Sequence, residues 1–226
     1  MGNSGEPEER SRASLYPAKS RAKLGKQVRP AVLGVLALSF LAGCVFPLLL
    51  WAIACPLFSR QAHGSLVRRA GSVIGSELIG QQFTRPEYFE PRPSAAGSGY
   101  DGTASGGTNL GLHNPKLVNG AADFAGIRQL AETYRRRNGL APDSPVPIDA
   151  VTRSASGLDP HISVANAMLQ AARVARCRKL EEAIVRRLVS EHIEGRALGF
   201  LGSPRVSVLE LNLALDKLEA ALHASR

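Results

Sequence analysis

Asp159, His161 and Ser163 lie within five residues of one another. They are the types that build an acyl-transfer centre: a carboxylate to orient an imidazole, the imidazole to accept a proton, a hydroxyl to attack. Their spacing argues against that chemistry, because neighbours at i and i+2 on a regular element do not aim at one another, and no G-x-S-x-G elbow is present. The better reading is a capped turn before a helix, with Ser163 as the cap. His63, His113, His161, His192 and His223 are scattered singly, and no pair of Cys and His residues has zinc spacing. A G-x-x-x-x-G-K-[ST] loop is also missing, so the chain does not hydrolyse ATP by itself. Neither a catalytic residue nor a metal ligand is assigned.

Gly97-Ser98-Gly99-Tyr100-Asp101-Gly102 spells the dinucleotide pattern G-x-G-x-x-G. That pattern cradles a pyrophosphate only between a strand and a helix. Here Pro91 and Pro93 precede it and Ser105-Gly106-Gly107 follows, so a Rossmann site is rejected. Three loops nevertheless stand out as too specific for linkers: 92–95, Ser105-Gly106-Gly107-Thr108-Asn109-Leu110-Gly111, and 156–163. Gly- and Asn-rich loops of this kind expose backbone N–H groups and side-chain amides, which suit tight internal turns or contacts with a partner.

The element that positions all of this is the run from Ala31 to Phe58, 28 residues without a charge between Arg29 and Arg60. At about 1.5 Å per helical residue it exceeds the ~20 residues that cross a bilayer core. A transmembrane helix is therefore expected over residues 30–58, preceded by a disordered basic cytoplasmic tail over 1–29 and followed by one extracytoplasmic domain over 59–226. Pro47 should kink the span, and Ser39 with Gly43 puts two small residues on one face. Lys19, Arg21, Lys23, Lys26 and Arg29 precede the span whereas Arg60, Arg68 and Arg69 follow it, which places the N-terminus in the cytoplasm. Leu41-Ala42-Gly43-Cys44 fits a lipoprotein cleavage site, the basis of an alternative reading as a lipid-anchored exported binding protein. Fourteen further apolar residues after Cys44 argue against it.

Of the formal net charge of +9, residues 1–29 contribute seven Lys/Arg against three Glu, and residues 60–226 contribute 21 against 16. The domain is mildly basic with no block of basic and aromatic residues, so its implied neighbour is membrane lipid and not nucleic acid. Cys44 and Cys55 are too far apart along a helix to bridge, and Cys177 stands alone in the domain.

Within the domain, 65–83 reads as short strands joined by glycine turns. Asn114-Pro115 starts a helix that runs through Arg135-Arg136-Arg137 to Asn138-Gly139, with Gly120 and Gly126 inside it. Residues 140–160 read as a loop. Ser163 caps a second helix, Leu180 to Val189 marks a third ending near Gly195, and the segment after Pro204 opens as a strand and continues helical through Leu222. The fold class expected is α/β: three or four helices on a small sheet, behind one membrane helix.

Several runs in order, Arg29-Pro30-Ala31, GSLVRRAGSVIGSELIGQQF, YFEPRPSA, SGGTNLGLHNPKL, VPIDAVTRSASGLDPHIS, the Gln170 and RVAR region and GFLGSPRVSVLELNLALDKL, resemble the small C subunit of the Kdp-type potassium-importing P-type ATPase, the KdpC family. The likeness covers nearly everything from Arg29 to Leu218 and departs at the N-terminal tail, Cys177 and Ser203. It implies a non-catalytic subunit of the bacterial inner membrane, assembled with a channel-like potassium-binding subunit, a P-type pump subunit and a very small membrane subunit. It also implies a role as catalytic chaperone that raises the pump's affinity for ATP. No tightly bound cofactor is expected; ATP enters only by this resemblance, with Ser105, Gly106, Gly107, Asn109 and Gln170 as candidate nucleotide-binding residues. A domain outside the membrane does not meet cytoplasmic ATP, and the basic flanks favour that orientation. The expected role is then to stabilise the assembly and cap the external potassium entrance.

Overall fold

The computed structural model describes residues 24–224. Two compact units divide the chain, the first ending at Ala62 and the second beginning at His63. In the first, α1 (Leu24–Phe40) passes through a widened turn at Leu41–Val45 into α2 (Phe46–Leu57), and α3 (Ser59–Ala62) adds one turn. Gly25–Leu57 forms one 33-residue helical run whose most apolar 18-residue stretch has a mean hydropathy of 2.4 and none of its residues buried. At 1.5 Å per residue it is about 50 Å long, enough to cross a bilayer with its ends in the headgroups. Up to position 23 the tail expected over 1–29 lies outside the described residues, whereas 24–29 form the first turns of α1.

The disturbance expected at Pro47 lies just before it. Phe46 N–H donates to Leu41 O, five residues back. Pro47 has no N–H, and in a regular helix its ring would press on the carbonyl four residues earlier. One wide turn takes up that displacement. Gly43 lies in this turn, with nothing within 4 Å of where a Cβ would sit.

The second unit opens with the hairpin of β1 (Leu66–Arg69) and β2 (Ser72–Ser76). Ala70 and Gly71 turn it with φ of 50° and 83°, the paired left-handed conformation whose twist suits a two-residue hairpin loop. One correction concerns the helix expected from Asn114 to Arg137, which is two. Asn114 caps α4 (Pro115–Asn119) by accepting from Lys116 N–H at 2.9 Å, and Gly120 stops it at φ 82°. The chain reverses through Ala121–Phe124 before α5 (Ile127–Asn138), whose start is closed by Gln129 Oε1 accepting from Gly126 N–H at 2.9 Å. The apolar spacing across 117–134 was continuous, but the left-handed glycine broke the backbone.

Residues 140–160 are a loop with one short turn at Ile148–Ala150. Then follow β3 (His161–Ser163), α6 (Val164–Arg178), α7 (Glu182–Glu191), β4 (Ile193–Glu194), β5 (Arg205–Ser207) and α8 (Val208–Ala224). Strand β5 is central in an antiparallel sheet of order β3-β5-β4. This is the α/β class expected, with two small sheets in place of one. Ile162 and Val206 from the sheet, Ala171 and Val174 from α6, Val185 and Val189 from α7, and Leu211 and Leu215 from α8 form the main core. Tyr134, Ala150 and Val151 form a second, smaller one.

A Cβ at Gly126 would run into Gly120 N and sit 2.7 Å from Val118 O, both backbone atoms that cannot rotate aside, whereas one at Gly102 meets nothing within 4 Å. Gly126→Ala is therefore expected to cost roughly 1–3 kcal/mol, and Gly102→Ala to stay within about 0.5 kcal/mol. Urea unfolding of the detergent-solubilised chain, followed by circular dichroism, checks the pair.

Candidate functional site

Proline at 86, 91 and 93 keeps the segment after Phe83 out of any helix or sheet. It crosses the domain as a strap that turns at 85–88, where Tyr88 N–H donates to Arg85 O at 3.2 Å, and has no strand to pair with, yet Phe89 within it is fully buried. Side chains supply the missing bonds. Asn212 of α8 brackets Phe89, accepting from its N–H at 2.8 Å and donating to its carbonyl at 3.0 Å. Gln170 of α6 does the same for Glu90, at 2.8 and 3.0 Å. Arg173 donates to the carbonyls of Pro86 and Tyr88, and Arg178 to that of Glu87 at 2.9 Å.

These holders belong to a polar stripe along α6. Ser163, Asn166, Gln170 and Arg173 recur at three and four, so they share one face. Asn166 Oδ1 accepts from Gln170 and from the Tyr134 hydroxyl, both at 2.8 Å, and Asn166 Nδ2 donates to Asp149 at 2.9 Å. Asp149 also accepts from the N–H and hydroxyl of Ser163, each at 2.8 Å. Arg173 donates to Gln170 and to Asn138. Burial pushes the Tyr134 phenol above its ordinary range, and the nearby Asp149 charge adds to that, which keeps it a hydrogen-bond donor. Burial lowers the Arg173 guanidinium below its usual value. At the far end Arg178 is raised: burial opposes its charge, but hydrogen bonds and attraction from Asp216 and Glu219 outweigh it.

Beyond the stripe lies a cleft of about 340 Å³ lined by Phe83, Glu90, Arg92, Ser94, Tyr100 and Arg137 among others. Arg92 donates to Asp159 at 2.8 Å, and the Tyr100 hydroxyl donates to the Arg92 carbonyl. Burial raises the Tyr100 phenol above its ordinary value. Among the described residues, Arg92 Nε is buried without a hydrogen-bond partner.

His161 lies 3.5 Å from Asp159 on one side and 3.3 Å from Glu194 on the other. Ser163 is turned to Asp149 and caps α6 through Asn166 N–H. The three residues that suggested acyl transfer thus share no hydrogen-bonded path from hydroxyl to imidazole. Burial pushes the Asp159 carboxyl up, but hydrogen bonds from the His161 side chain and backbone and from Arg92 overcome it, leaving it at about 2.

The structure separates the sequence candidates into two places. Gly106 N–H and the Ser105 hydroxyl both donate to Ser156 O, at 2.9 and 3.0 Å. A Cβ on Gly107 would sit 2.9 Å from Ala155 O, and one on Gly157 2.6 Å from Gly106 O. The 105–111 and 155–157 loops are therefore pressed together, with Asn109 beyond them in a left-handed conformation at φ 52°. Gln170 lies elsewhere, 1 % exposed under the strap, with both amide donors and both acceptor positions filled within the chain. Asn166, Arg173, Arg178, Asn212 and Asp149 were missed in the sequence. For Asn166 and Arg173 the signal was a polar stripe at helical spacing inside a segment read only for its apolar face, whereas Asp149 in the short turn and Asn212 on α8 lie outside that stripe. The G-x-G-x-x-G run is a turn, with Gly97, Gly99 and Tyr100 at positive φ and no helix after it.

Residues 28–217 match the family model described as K+-transporting ATPase, c chain. The chain is 49% identical over 193 residues to the potassium-transporting ATPase KdpC subunit of Mycobacterium tuberculosis (strain ATCC 25618 / H37Rv), covering 85% of this chain and 99% of the relative. The KdpC subunit of Sorangium cellulosum is 52% identical over 190 residues, covering 84% and 96%. That of Koribacter versatilis is 48% identical over 191, covering 84% and 94%.

Gln170→Leu strands the N–H and carbonyl of Glu90, at roughly 1–3 kcal/mol for each group left unsatisfied. Ser98→Ala, on the exposed side of the turn, should stay within about 0.5 kcal/mol. Denaturant unfolding of both variants decides. The Asp159 carboxyl is depressed in the folded state, so its contribution is complete above pH ~4 and is lost as the pH falls toward 2. The measurement is stability against pH, in which Asp159→Asn should flatten that part of the acid limb.

Proposed function

The chain belongs to the family of the K+-transporting ATPase c chain, and from that premise we propose that it is an accessory subunit that holds an ATP-driven potassium importer together and caps its external potassium entrance. Its partners are a channel-like subunit, a P-type pump subunit and a very small membrane subunit. In this reading residues 1–29 are cytoplasmic, 30–58 cross the bacterial inner membrane, and 59–226 lie outside. The unequal basic flanks of the apolar run support that orientation.

The observation that carries the proposal is the braced pair of loops. Ser105, Gly106 and Gly107 are fixed against Ala155–Gly157 by backbone bonds and close approach, and beside them Leu112 is 85% exposed. A rigid loop with an uncovered apolar residue suits docking against a protein, because little order is lost on contact. Asn109 is part of that contact surface, and Gln170 holds the strap elsewhere in the domain. Ser105, Gly106, Gly107, Asn109 and Gln170 then serve nucleotide affinity only indirectly. The chaperone effect on ATP passes through the membrane parts of the complex, since a domain outside does not meet cytoplasmic nucleotide. The match to the family spans residues 28–217, Cys44 included, and gives the lipoprotein alternative no support.

Removing 59–226 while keeping the span should impair assembly or potassium affinity, and Asn109→Ala with Leu112→Ala should weaken retention of the channel-like subunit in pull-downs from membranes. Unchanged uptake at low potassium in both would sink the proposal. A reporter fused after Arg226 that proved cytoplasmic would reverse the topology.

A further inference from the structure

The loop between β4 and β5 closes on itself. Ala197 and Leu201 exchange both backbone hydrogen bonds, each at 2.9 Å, and inside them Gly199 N–H donates to Arg196 O at 3.1 Å and Phe200 N–H to Ala197 O at 3.3 Å. A turn that satisfies its own backbone has no need of side chains to hold it. Its side chains point to water instead: Leu198 is 83% exposed, Phe200 68% and Leu201 51%. Elsewhere among the described residues of the domain, Leu112 and Ile148 are this exposed singly, and Leu78 has only the less exposed Ile79 beside it. Leu198 also adopts the left-handed conformation at φ 53°, unfavourable for a residue with a Cβ, and the result is a protruding tip with apolar side chains outward.

Charge indicates what covers it. Arg196, at the base of the tip, is exposed and has no ion-pair partner among the described residues, whereas Arg205 across the hairpin is held by Glu194 at 2.9 Å. No acid occurs between Glu194 and Glu210. Apolar residues flanked by an unpaired cation and free of acids match the interface of an anionic bilayer, where acyl chains lie beneath phosphates. Only four residues lie between Phe58 and His63, so the chain itself tethers the domain to the span. The lipid surface is therefore always at high effective concentration.

We propose that the 197–201 turn is a lipid-contacting knuckle: Leu198, Phe200 and Leu201 enter the headgroup region of an anionic membrane and Arg196 pairs with lipid phosphate. The knuckle gives the domain a second hold on the bilayer besides the helix. The inference rests on the chain having a membrane span but not on which side the domain faces.

The test uses the full chain in nanodiscs of equimolar phosphatidylglycerol and phosphatidylcholine. Trp51 lies in the apolar run and would itself respond to quenchers in the lipid, so Trp51→Phe is combined with Phe200→Trp to leave one indole at the tip. A nitroxide near the top of the acyl chains should quench it about twofold, its emission should shift to the blue, and Arg196→Glu should reverse both. Arg187→Trp in the same background, on the outer face of α7, should stay accessible to aqueous acrylamide. An indole at 200 that is as open to acrylamide as the one at 187 overturns the proposal. Protection that appears only when the partner subunits are added, in detergent without lipid, overturns it in favour of a protein contact. Arg196→Glu without effect removes the role given to phosphate. A chain that does not enter the disc at all removes the span and the knuckle together.

Discussion

The domain depends on how an irregular strap is held where no sheet is available to hold it. Residues 86–90 bring Phe89 into the main core, and every backbone group carried in with it has to find a partner or cost free energy. A strand would find its partners in another strand. Here α6 and α8 reach up with Gln170, Arg173, Arg178 and Asn212. An amide is suited to this because it carries a donor and an acceptor side by side, the same pair that a neighbouring backbone would offer. A guanidinium, with five donors, can serve several carbonyls at once.

Such holders must themselves be fixed, and this explains why the polar groups form a connected set. Gln170 is oriented by Asn166 and Arg173, Asn166 by Asp149 and Tyr134, and Arg173 by Asn138. At the other end Arg178 is gripped by Asp216 and Glu219, at 2.8 and 2.5 Å, and lies 4.7 Å from the centre of the Tyr88 ring. Asp216 accepts from Arg69 of β1 as well, tying the first hairpin to the same set. A buried network of this kind stabilises when every member is satisfied, and leaving a member unpaired is costly.

Most of the elements could be read from the sequence because their signals are local. The glycine turns of the first hairpin, the Asn114 and Ser163 caps, the loop over 140–160 and the strand-to-helix change after Pro204 each rest on a few adjacent residues. Other features could not, the short strands β3 and β4 among them, the latter falling where the third helix was expected to continue toward Gly195. The break between α4 and α5 depends on Gly120 taking a left-handed conformation and on Gly126 packing against Gly120, and the apolar spacing carries no trace of either. The strap and its holders are separated by 80 to 123 positions, so neither partner identifies the other. Asn166, Gln170 and Arg173 share a face with helical spacing, but a polar stripe on a helix ordinarily faces water. Only the arrival of a backbone without strand partners turns it inward.

The same arrangement accounts for how the acids and hydroxyls around the start of α6 are engaged. Asp159 is held by Arg92 and the His161 N–H, Ser163 by Asp149, and Tyr134 by Asn166. A nucleophile or base has to be aimed at a space where substrate can enter. In this domain those groups are aimed at backbone and at one another, so what they produce is a fixed shape. Fixed shape is what a subunit without chemistry of its own can contribute to a complex.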